Sequence, residues 1–382
     1  TFTSCGPGSA NLPIRLGNAF FDSVPFLAIT GNVPTSQFNR GAFQETYRHY
    51  QADFPSTVKA YCKRVYQPTR GEQVPLMTRQ AWKTMTTGRP GPVVLDVPFD
   101  IFKEAAASET PDPAAWSANI SSRCGADPDG VIKAVDMLLS AEKPVIVVGQ
   151  GVRYGGAAEE LLALAERLQI PVASSASGLG AIPVQHPLSL GLVQRGGTYQ
   201  SNHACRQADI LLALGVRFDD RTSSSWIPGY SFTIPPTRLI HVDIDPEEIG
   251  RNYPVALGLM ADVRTFLRQM LAELDRRGHS GEPTTASRKW LAAIDGYRAK
   301  WNLASHGSTW IENPNSVTEV GCIHTCQGLE VDHIGVIIGK DMIFKDGEIN
   351  TNYLARDRYD KTIRGSKKLV RQYGDQAIEQ LD

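Results

Sequence analysis

Short apolar runs alternate along the chain with helical stretches, and Gly or Pro residues separate the two. In the first hundred residues, apolar runs at 24–29 and 92–97 are bounded by turn residues, and a helical stretch at 75–87 lies between them. Runs of this length predict buried parallel strands, and the stretch between them predicts a crossover helix. The pattern therefore predicts an α/β domain over residues 1–105.

The same alternation resumes after a segment without periodicity. Residues 106–128 are rich in Ala, Ser, Pro and Asp, which is typical of a linker. Beyond it we predict helices at 130–140 and 157–168, a helix running through Ala204, and a helix at 263–274, with strands at 144–148, 171–174, 210–214 and 238–243. Alternating strands and helices predict a doubly wound parallel sheet over residues 129–280, whose ligands bind at the carboxyl ends of the strands.

The character of the sequence changes again after residue 280. Residues 281–312 are mixed polar and carry three tryptophans, so we interpret them as a junction. Residues 313–344 form an apolar, β-branched block, and the tail from Lys345 is dense in charged residues. The predicted fold class is thus α/β, with two doubly wound parallel-sheet domains and a short C-terminal α/β fragment over residues 313–382.

Composition narrows the function classes. A length of 382 residues suggests two or three domains. Lys+Arg 39 against Asp+Glu 40 gives a net charge of -1, which disfavours a nucleic-acid-binding protein. The sequence contains no apolar run long enough for a membrane span and no signal peptide, and its six scattered cysteines suit reduced thiols. These features predict a cytoplasmic protein, and the initial Thr1 suggests a fragment.

Several motifs of the first 280 residues occur in a fixed order. TSCGPGSAN at 3–11 is a glycine-rich turn, which on spacing alone also fits a plain strand-to-helix connection. It is followed by ITGNVP at 29–34, GAFQE at 41–45 and TGRPGPV at 87–93, then by GVRFDDR at 215–221 and HVDID at 241–245. Together these motifs resemble the thiamine-diphosphate-dependent enzymes of the acetolactate synthase large-subunit family.

This resemblance implies a function and a domain assignment. Residues 1–105 would be a pyrimidine-binding domain truncated at its N-terminus, and residues 129–280 a Rossmann-like central domain. The family decarboxylates a 2-keto acid on thiamine diphosphate and adds the product to a second keto acid, within homo-oligomers. Its catalytic glutamate precedes the TSCGPGSAN turn, and its Gly-Asp-Gly motif for Mg²⁺ is absent here. We therefore expect a 2-keto acid substrate of undetermined identity and little activity from this chain alone.

The resemblance also assigns roles to single residues. Gly6, Pro7, Gly8 and Asn11 would lie near the pyrimidine ring, while Phe43 and Gln44 would line the active site. Glu45 is either an acid in the same loop or a solvated carboxylate. The residues matched to the FAD-holding loops of flavin-containing members are Gly149, Gly151, Gly178, Gly180, Gly215, Arg217, Asp243, Asp245 and Asp262. Arg195-Gly196 replaces an expected His-Gly pair and Ala261 an expected Gly, so FAD binding is one of two alternatives.

The C-terminal part resembles a different family. HTCQGLEVD at 324–332 is similar to a motif of helicase-like NTPases, in which its Gln, Gly and Glu couple nucleotide to nucleic acid. The Walker A loop is absent, and GVIIGKD at 335–341 reads as a strand ending in a turn. Cys322, His324 and Cys326 fit structural thiols better than a metal site. The chain therefore looks like a chimera, and the competing hypotheses are a nucleic-acid-dependent NTPase and a non-catalytic FAD or nucleotide-binding module.

Overall fold

The structure is a computed structural model that describes residues 1–46, 52–105, 112, 114, 123–303, 342–345 and 348–351. The chain divides into two compact units, Thr1–Gly321 and Cys322–Asp382. Two parallel sheets, one formed before residue 100 and one after residue 140, belong to the first unit. The α/β class predicted from the sequence is confirmed.

The N-terminal sheet has four parallel strands in the order β1-β2-β4-β3. Its strands are β1 (Phe2–Thr3), β2 (Phe26–Asn32), β3 (Arg64–Tyr66) and β4 (Pro92–Pro98). Its helices are α1 (Pro7–Ala10), α2 (Leu12–Phe21), α3 (Phe54–Val58), α4 (Gln73–Thr86) and α5 (Phe99–Lys103). The two apolar runs and the helical stretch between them thus form β2, β4 and α4, as predicted.

Strand β4 is buried on both faces because alternate side chains enter two separate cores. Val94 belongs to one core with Leu16 of α2. Val93 and Leu95 belong to the other with Met85 of α4. Successive side chains of a strand point to opposite faces, so a strand covered by helices on both sides has to be apolar throughout. This explains why its sequence is a continuous apolar run.

The second sheet has six parallel strands in the order β10-β9-β8-β5-β6-β7. Its strands are β5 (Pro144–Val148), β6 (Val172–Ser174), β7 (Ser189–Leu192), β8 (Ile210–Leu214), β9 (Arg238–Asp243) and β10 (Leu257–Met260). Its helices are α6 (Pro128–Leu139), α7 (Gln150–Gly155), α8 (Ala158–Leu168), α9 (Tyr199–Gln207), α10 (Val263–Arg276) and α11 (Thr285–Leu303). One core holds Ile146 and Leu212, and the other holds Val145 and Leu211, so the sheet is doubly wound as predicted.

The two edge strands β7 and β10 were not predicted. Their sequences are SLGL and LGLM, and both strands are only partly buried. A strand at the edge of a sheet does not need an apolar residue at every position, so it leaves no continuous run in the sequence. The central strands β5, β8 and β9 have the bounds expected from their apolar runs.

Helix α11 occupies part of the segment that the sequence suggests as a junction. Trp290 and Ile294 are buried in the core beneath α9, and the Trp290 indole donates a hydrogen bond to the Pro144 carbonyl at 3.1 Å. The Tyr297 hydroxyl donates to Gln207 at 2.8 Å. These three side chains follow helical spacing, but they are surrounded mainly by polar residues and alanines. So narrow an apolar stripe is not detected from composition.

The second unit is described over eight residues only. Strands β11 (Met342–Lys345) and β12 (Glu348–Thr351) pair antiparallel. The predicted strand at 333–338, the HTCQGLEVD motif, and Cys322, His324 and Cys326 lie outside the described residues. Among the residues that are described, no helix is long and apolar enough to cross a membrane.

Candidate functional site

A cleft of about 250 Å³ opens at the carboxyl edge of the six-stranded sheet. Strands β6 and β7 lie on one side of β5, whereas β8, β9 and β10 lie on the other. The strand order therefore reverses between β5 and β8, and ligands of doubly wound folds bind at such a switch point. The residues that line the cleft include Arg89, Gly151, Gly215, Arg217, Asp243 and Asp262.

The loops after β5 and β8 touch through their backbones. A Cβ atom on Gly149 would lie 2.1 Å from the Gly215 carbonyl oxygen. Gly215 has φ +59°, and a Cβ there would lie 2.5 Å from the Cα of Gly151. No side chain fits between the two loops, so both present bare backbone to the cleft. The sequence-predicted residues Gly149, Gly151 and Gly215 are thereby brought together.

Arg217 lines the cleft two residues after Gly215 and is half-buried. Within the described part of the chain its guanidinium forms no ion pair. Arg123 reaches the same cleft, where it donates to the Gly155 carbonyl at 2.6 Å and lies 3.5 Å from Asp262. A half-buried guanidinium without a carboxylate partner suits an anionic group such as a diphosphate.

The opposite wall of the cleft is acidic. Asp243 ends β9 and is buried, and its Oδ1 accepts the backbone N–H of Asp245 at 2.9 Å. Burial raises the pKa of Asp243 to about 6; the Asp245 N–H and Arg89 oppose the rise, and the charges of Glu248 and Asp245 add to it. The cleft thus combines the Arg217 guanidinium with a carboxyl group whose pKa is raised to about 6.

Arg89 reaches this wall from the N-terminal sheet. Its Nη1 lies 3.1 Å from Glu248 Oε1 and 3.4 Å from Asp245 Oδ2, while its Nε donates to Ser23 Oγ at 2.8 Å. The sequence motif TGRPGPV contains Arg89, but nothing in the sequence links it to carboxylates more than 150 residues later. Arg89, Arg123 and Glu248 are the charged cleft residues that sequence reasoning missed.

Three of the residues predicted to bind a cofactor also have structural roles. Asp262 caps α10, because its Oδ1 accepts the Thr265 N–H at 2.9 Å. A Cβ on Gly178 would lie 2.2 Å from the Val148 carbonyl oxygen, so Gly178 allows two loops to pack. Gly180 has φ +84°, which favours glycine by itself. Asp262 lines the cleft, whereas Gly178 and Gly180 do not.

A second group of predicted residues meets at the N-terminal turn. Gly6, with φ +60°, precedes helix α1, which contains Pro7 and Gly8, and Asn11 follows that helix. A Cβ on Gly6 would lie 2.7 Å from the Cβ of Gln44. Gln44 itself has φ +61°. The structure therefore packs the TSCGPGSAN turn against the Phe43-Gln44 loop.

Phe43 and Glu45 differ sharply in environment although they flank the same residue. The Phe43 side chain is 86% exposed, whereas Glu45 is 7% exposed. The Glu45 carboxylate accepts the backbone N–H of Gly41 at 3.0 Å and that of Asn39. The interpretation of Glu45 as a solvated carboxylate is wrong, since the residue closes its own loop.

The raised pKa of Asp243 predicts a pH-dependent stability. The folded state binds this proton more tightly than the unfolded state, so the stabilisation is complete below the ordinary value of 3.8 and is lost as the pH rises through about 6. We expect Asp243→Asn and the unmodified protein to have the same free energy of unfolding near pH 4. At pH 7 the value for Asp243→Asn should be higher by up to about 3 kcal/mol. Urea unfolding across this pH range measures the difference. Asp220→Asn, at an exposed position, is the control and should show no such pH-dependent difference in stability. If the difference between Asp243→Asn and the unmodified protein does not change with pH, the raised pKa of Asp243 is refuted.

The four cysteines in the described part of the chain, Cys5, Cys62, Cys124 and Cys205, are free. Burial raises the pKa of the Cys62 thiol to about 12. No group of three or more His, Cys, Asp or Glu side chains that could hold a metal ion occurs among the residues that the structure describes.

Residues 265–381 match the model of the Schlafen group 3 DNA/RNA helicase domain. The first part of this match lies in the central fold: Phe266 and Met270 of α10 and Trp290 of α11 are core residues. Most of the remainder lies outside the described residues.

Residues 131–270 match the model of the central domain of thiamine pyrophosphate enzymes. The chain is 37% identical over 274 residues to the probable acetolactate synthase large subunit of Methanocaldococcus jannaschii, covering 71% of this chain and 45% of that protein. It is 34% identical over 319 residues to acetolactate synthase isozyme 3 large subunit of Escherichia coli K12, covering 82% and 53%. For the probable large subunit of Methanococcus aeolicus the values are 33% over 314 residues, 82% and 48%.

The chain thus spans about half the length of the curated relatives it matches. The order of its motifs, the two parallel sheets and the match to the central-domain model agree with one another. The chain therefore belongs to the acetolactate synthase large-subunit family of thiamine pyrophosphate enzymes.

Proposed function

We propose that this chain supplies the pyrimidine-facing loops and the cofactor-binding central fold of an enzyme that decarboxylates a 2-keto acid on thiamine diphosphate and transfers the product to a second keto acid. The observation that carries the proposal is the cleft at the switch point, where touching glycine loops and a half-buried Arg217 meet an acidic wall. Family membership supports the reaction type. A homo-oligomeric assembly and a cytoplasmic location stay predictions.

The cleft is proposed to hold FAD. Arg217 suits its diphosphate, and the absence of side chains at Gly151 and Gly215 lets the ligand approach the backbone closely. Asp243 suits hydroxyl groups of a ribose, since a carboxylate after a strand can accept from them. The two departures from the family pattern leave this arrangement intact: Ala261 is buried in the apolar core, and Arg195 is exposed and donates to Ser225 Oγ at 3.1 Å.

Thiamine diphosphate is proposed to contact the other group of residues. Gly6 and Gln44 pack together, and the exposed Phe43 side chain leaves an apolar surface beside them. When bound, the cofactor supplies the carbanion chemistry, while the protein orients it. The described residues include no group of three or more His, Cys, Asp or Glu side chains that could hold a metal ion, and no role for Mg²⁺ is assigned to them.

A test of the proposal is titration of the purified chain with FAD, followed by quenching of flavin fluorescence. We expect saturable binding that ADP competes for, and Arg217→Gln should weaken it about 10- to 100-fold, because a charge-assisted hydrogen bond to the diphosphate is lost. Arg238→Gln is the matched control, since Arg238 is exposed at the amino end of β9. Absence of binding, or equal loss in both variants, would count against a dinucleotide in this cleft.

The alternative function, a nucleic-acid-dependent NTPase, is not favoured. The helicase-like match begins inside α10, and its residues up to Leu303 form the rest of α10, α11 and the connection between these two helices. The 335–341 segment that superficially resembles a phosphate loop has three residues between its glycines instead of four, and Asp where Ser or Thr should bind Mg²⁺.

A further inference from the structure

A fully buried carboxylate lies at the carboxyl end of β4 in the N-terminal sheet. Asp96 Oδ1 accepts the Thr30 hydroxyl at 2.7 Å, and its Oδ2 accepts the side-chain amides of Asn32 and Gln67, both at 2.9 Å. Burial raises the pKa of Asp96, while these three hydrogen bonds oppose the rise. All three donors are neutral, so Asp96 serves as a shared acceptor within a hydrogen-bond network.

Asn32 carries this network to the Gln44 loop. While its Nδ2 donates to Asp96, its Oδ1 accepts the backbone N–H of Val33 at 2.9 Å and that of Thr46 at 3.4 Å. An amide can make all these bonds in one orientation only, because its nitrogen donates and its oxygen accepts. An ionised Asp96 can only accept, and it therefore determines which way the Asn32 amide points.

The loop held in this way needs external support. Gln44 adopts φ +61°, a left-handed conformation that L residues rarely populate, and its Cβ packs against Gly6. Strained backbone of this kind persists where the surroundings over-determine it. Here Thr46 on one side of the strained residue is bound by Asn32, and Gly41 on the other side is bound by Glu45.

We propose that Asp96 is a positioning residue for the Gln44 loop, acting through the orientation of the Asn32 amide. Its importance for chemistry rests on the proposed function, which places Gln44 in the active site. Its structural effect does not depend on that function, because the network shares no residue with the cleft at the switch point. The loop can therefore be tested without any cofactor.

The test is hydrogen–deuterium exchange with mass spectrometry on the full chain, comparing a peptide that covers residues 39–46 with one that covers β5. Asp96→Leu removes the acceptor of the Asn32 amide, and we expect loop exchange about tenfold faster as the bond to Thr46 is lost. The double variant Asn32→Asp/Asp96→Asn reverses the polarity of the pair. Asp at position 32 can still accept both N–H groups, so loop exchange should return to within about threefold of the original rate.

Thr30→Val is the matched control, because it also removes a buried hydrogen bond to Asp96 but leaves Asn32 untouched. It should lower the melting temperature without accelerating the loop peptide. The proposal is overturned if Thr30→Val speeds loop exchange as much as Asp96→Leu does, or if loop exchange in the folded double variant is as fast as in Asp96→Leu. Should Asp96→Leu not fold, Asn32→Ala removes the acceptor of the Thr46 N–H directly, and unchanged loop exchange in that variant would equally refute the proposal.

Discussion

Gly215→Ala is expected to lower the free energy of unfolding by about 2–5 kcal/mol and to abolish FAD binding, whereas Gly156→Ala should cost only about 1–2 kcal/mol and leave binding intact. The two glycines have nearly the same backbone conformation, φ +59° and φ +61°. The left-handed conformation therefore penalises alanine equally at both positions. What differs is the space around the new methyl group.

At Gly215 the added Cβ would lie 2.5 Å from the Cα of Gly151, which is backbone and cannot rotate away. At Gly156, which follows α7, nothing lies within 4 Å of the added Cβ. The loops after β5 and β8 would have to separate in the first variant, and their separation would destroy the floor of the cleft. The extra loss in Gly215→Ala thus measures the contact between the two loops.

Urea unfolding and flavin titration of both variants supply the measurements. Gly196→Ala adds a second reference, since Gly196 has neither a positive φ nor a neighbour within 4 Å of the added Cβ. Equal destabilisation by Gly215→Ala and Gly156→Ala would show that the loops do not touch as described. If a destabilised Gly215→Ala protein keeps its affinity for FAD, FAD does not bind in this cleft.

Trp290→Ala is expected to lower the free energy of unfolding by about 3–5 kcal/mol, the cost of removing a large aromatic side chain from a packed core. Trp290 is 3% exposed, its ring meets Tyr297 edge to face at a centroid distance of 6.4 Å, and its indole donates to the Pro144 carbonyl at the start of β5. Its loss leaves a cavity beneath α9 and an unpaired carbonyl, so α11 should detach from the sheet.

The matched control is Trp82→Ala on α4, where the side chain is 61% exposed. A surface position of this kind should change stability by no more than about 0.5 kcal/mol. Urea unfolding of both variants measures the contrast. A small effect at Trp290 would mean that α11 does not complete the central fold, and the boundary with the helicase-like segment would then lie before residue 285.

Much of the fold could be predicted from local sequence. Strands such as β5 and β8 are covered on both faces, so each residue is apolar and the run is visible without knowledge of its neighbours. Strand β10 and helix α11 were missed for the opposite reason. One lies at an edge of the sheet, and the other buries a stripe of three side chains, so neither leaves a run that stands out from its surroundings.

The candidate site divides in the same way. Gly215 and Arg217 follow a strand directly, so their position at the carboxyl edge could be inferred from the chain order. Arg89 could not, because its partners Asp245 and Glu248 are far away in the sequence and meet it only when both sheets have formed. The environment of Glu45 was misjudged because its carboxylate accepts hydrogen bonds from the backbone N–H groups of Asn39 and Gly41. Nearly every residue has a backbone N–H, so the sequence does not indicate which ones will donate.

The sequence by itself determined the α/β class, the central strands and the family, because each depends on apolar runs or motifs contained in short segments. Only the tertiary structure decided which loops touch, which carboxylates are buried and how the Asn32 amide is oriented. These properties depend on burial and on hydrogen bonds between distant segments, and the pKa of Asp243 shows the difference: its identity is local, but its proton affinity is set by the neighbours that folding brings to it.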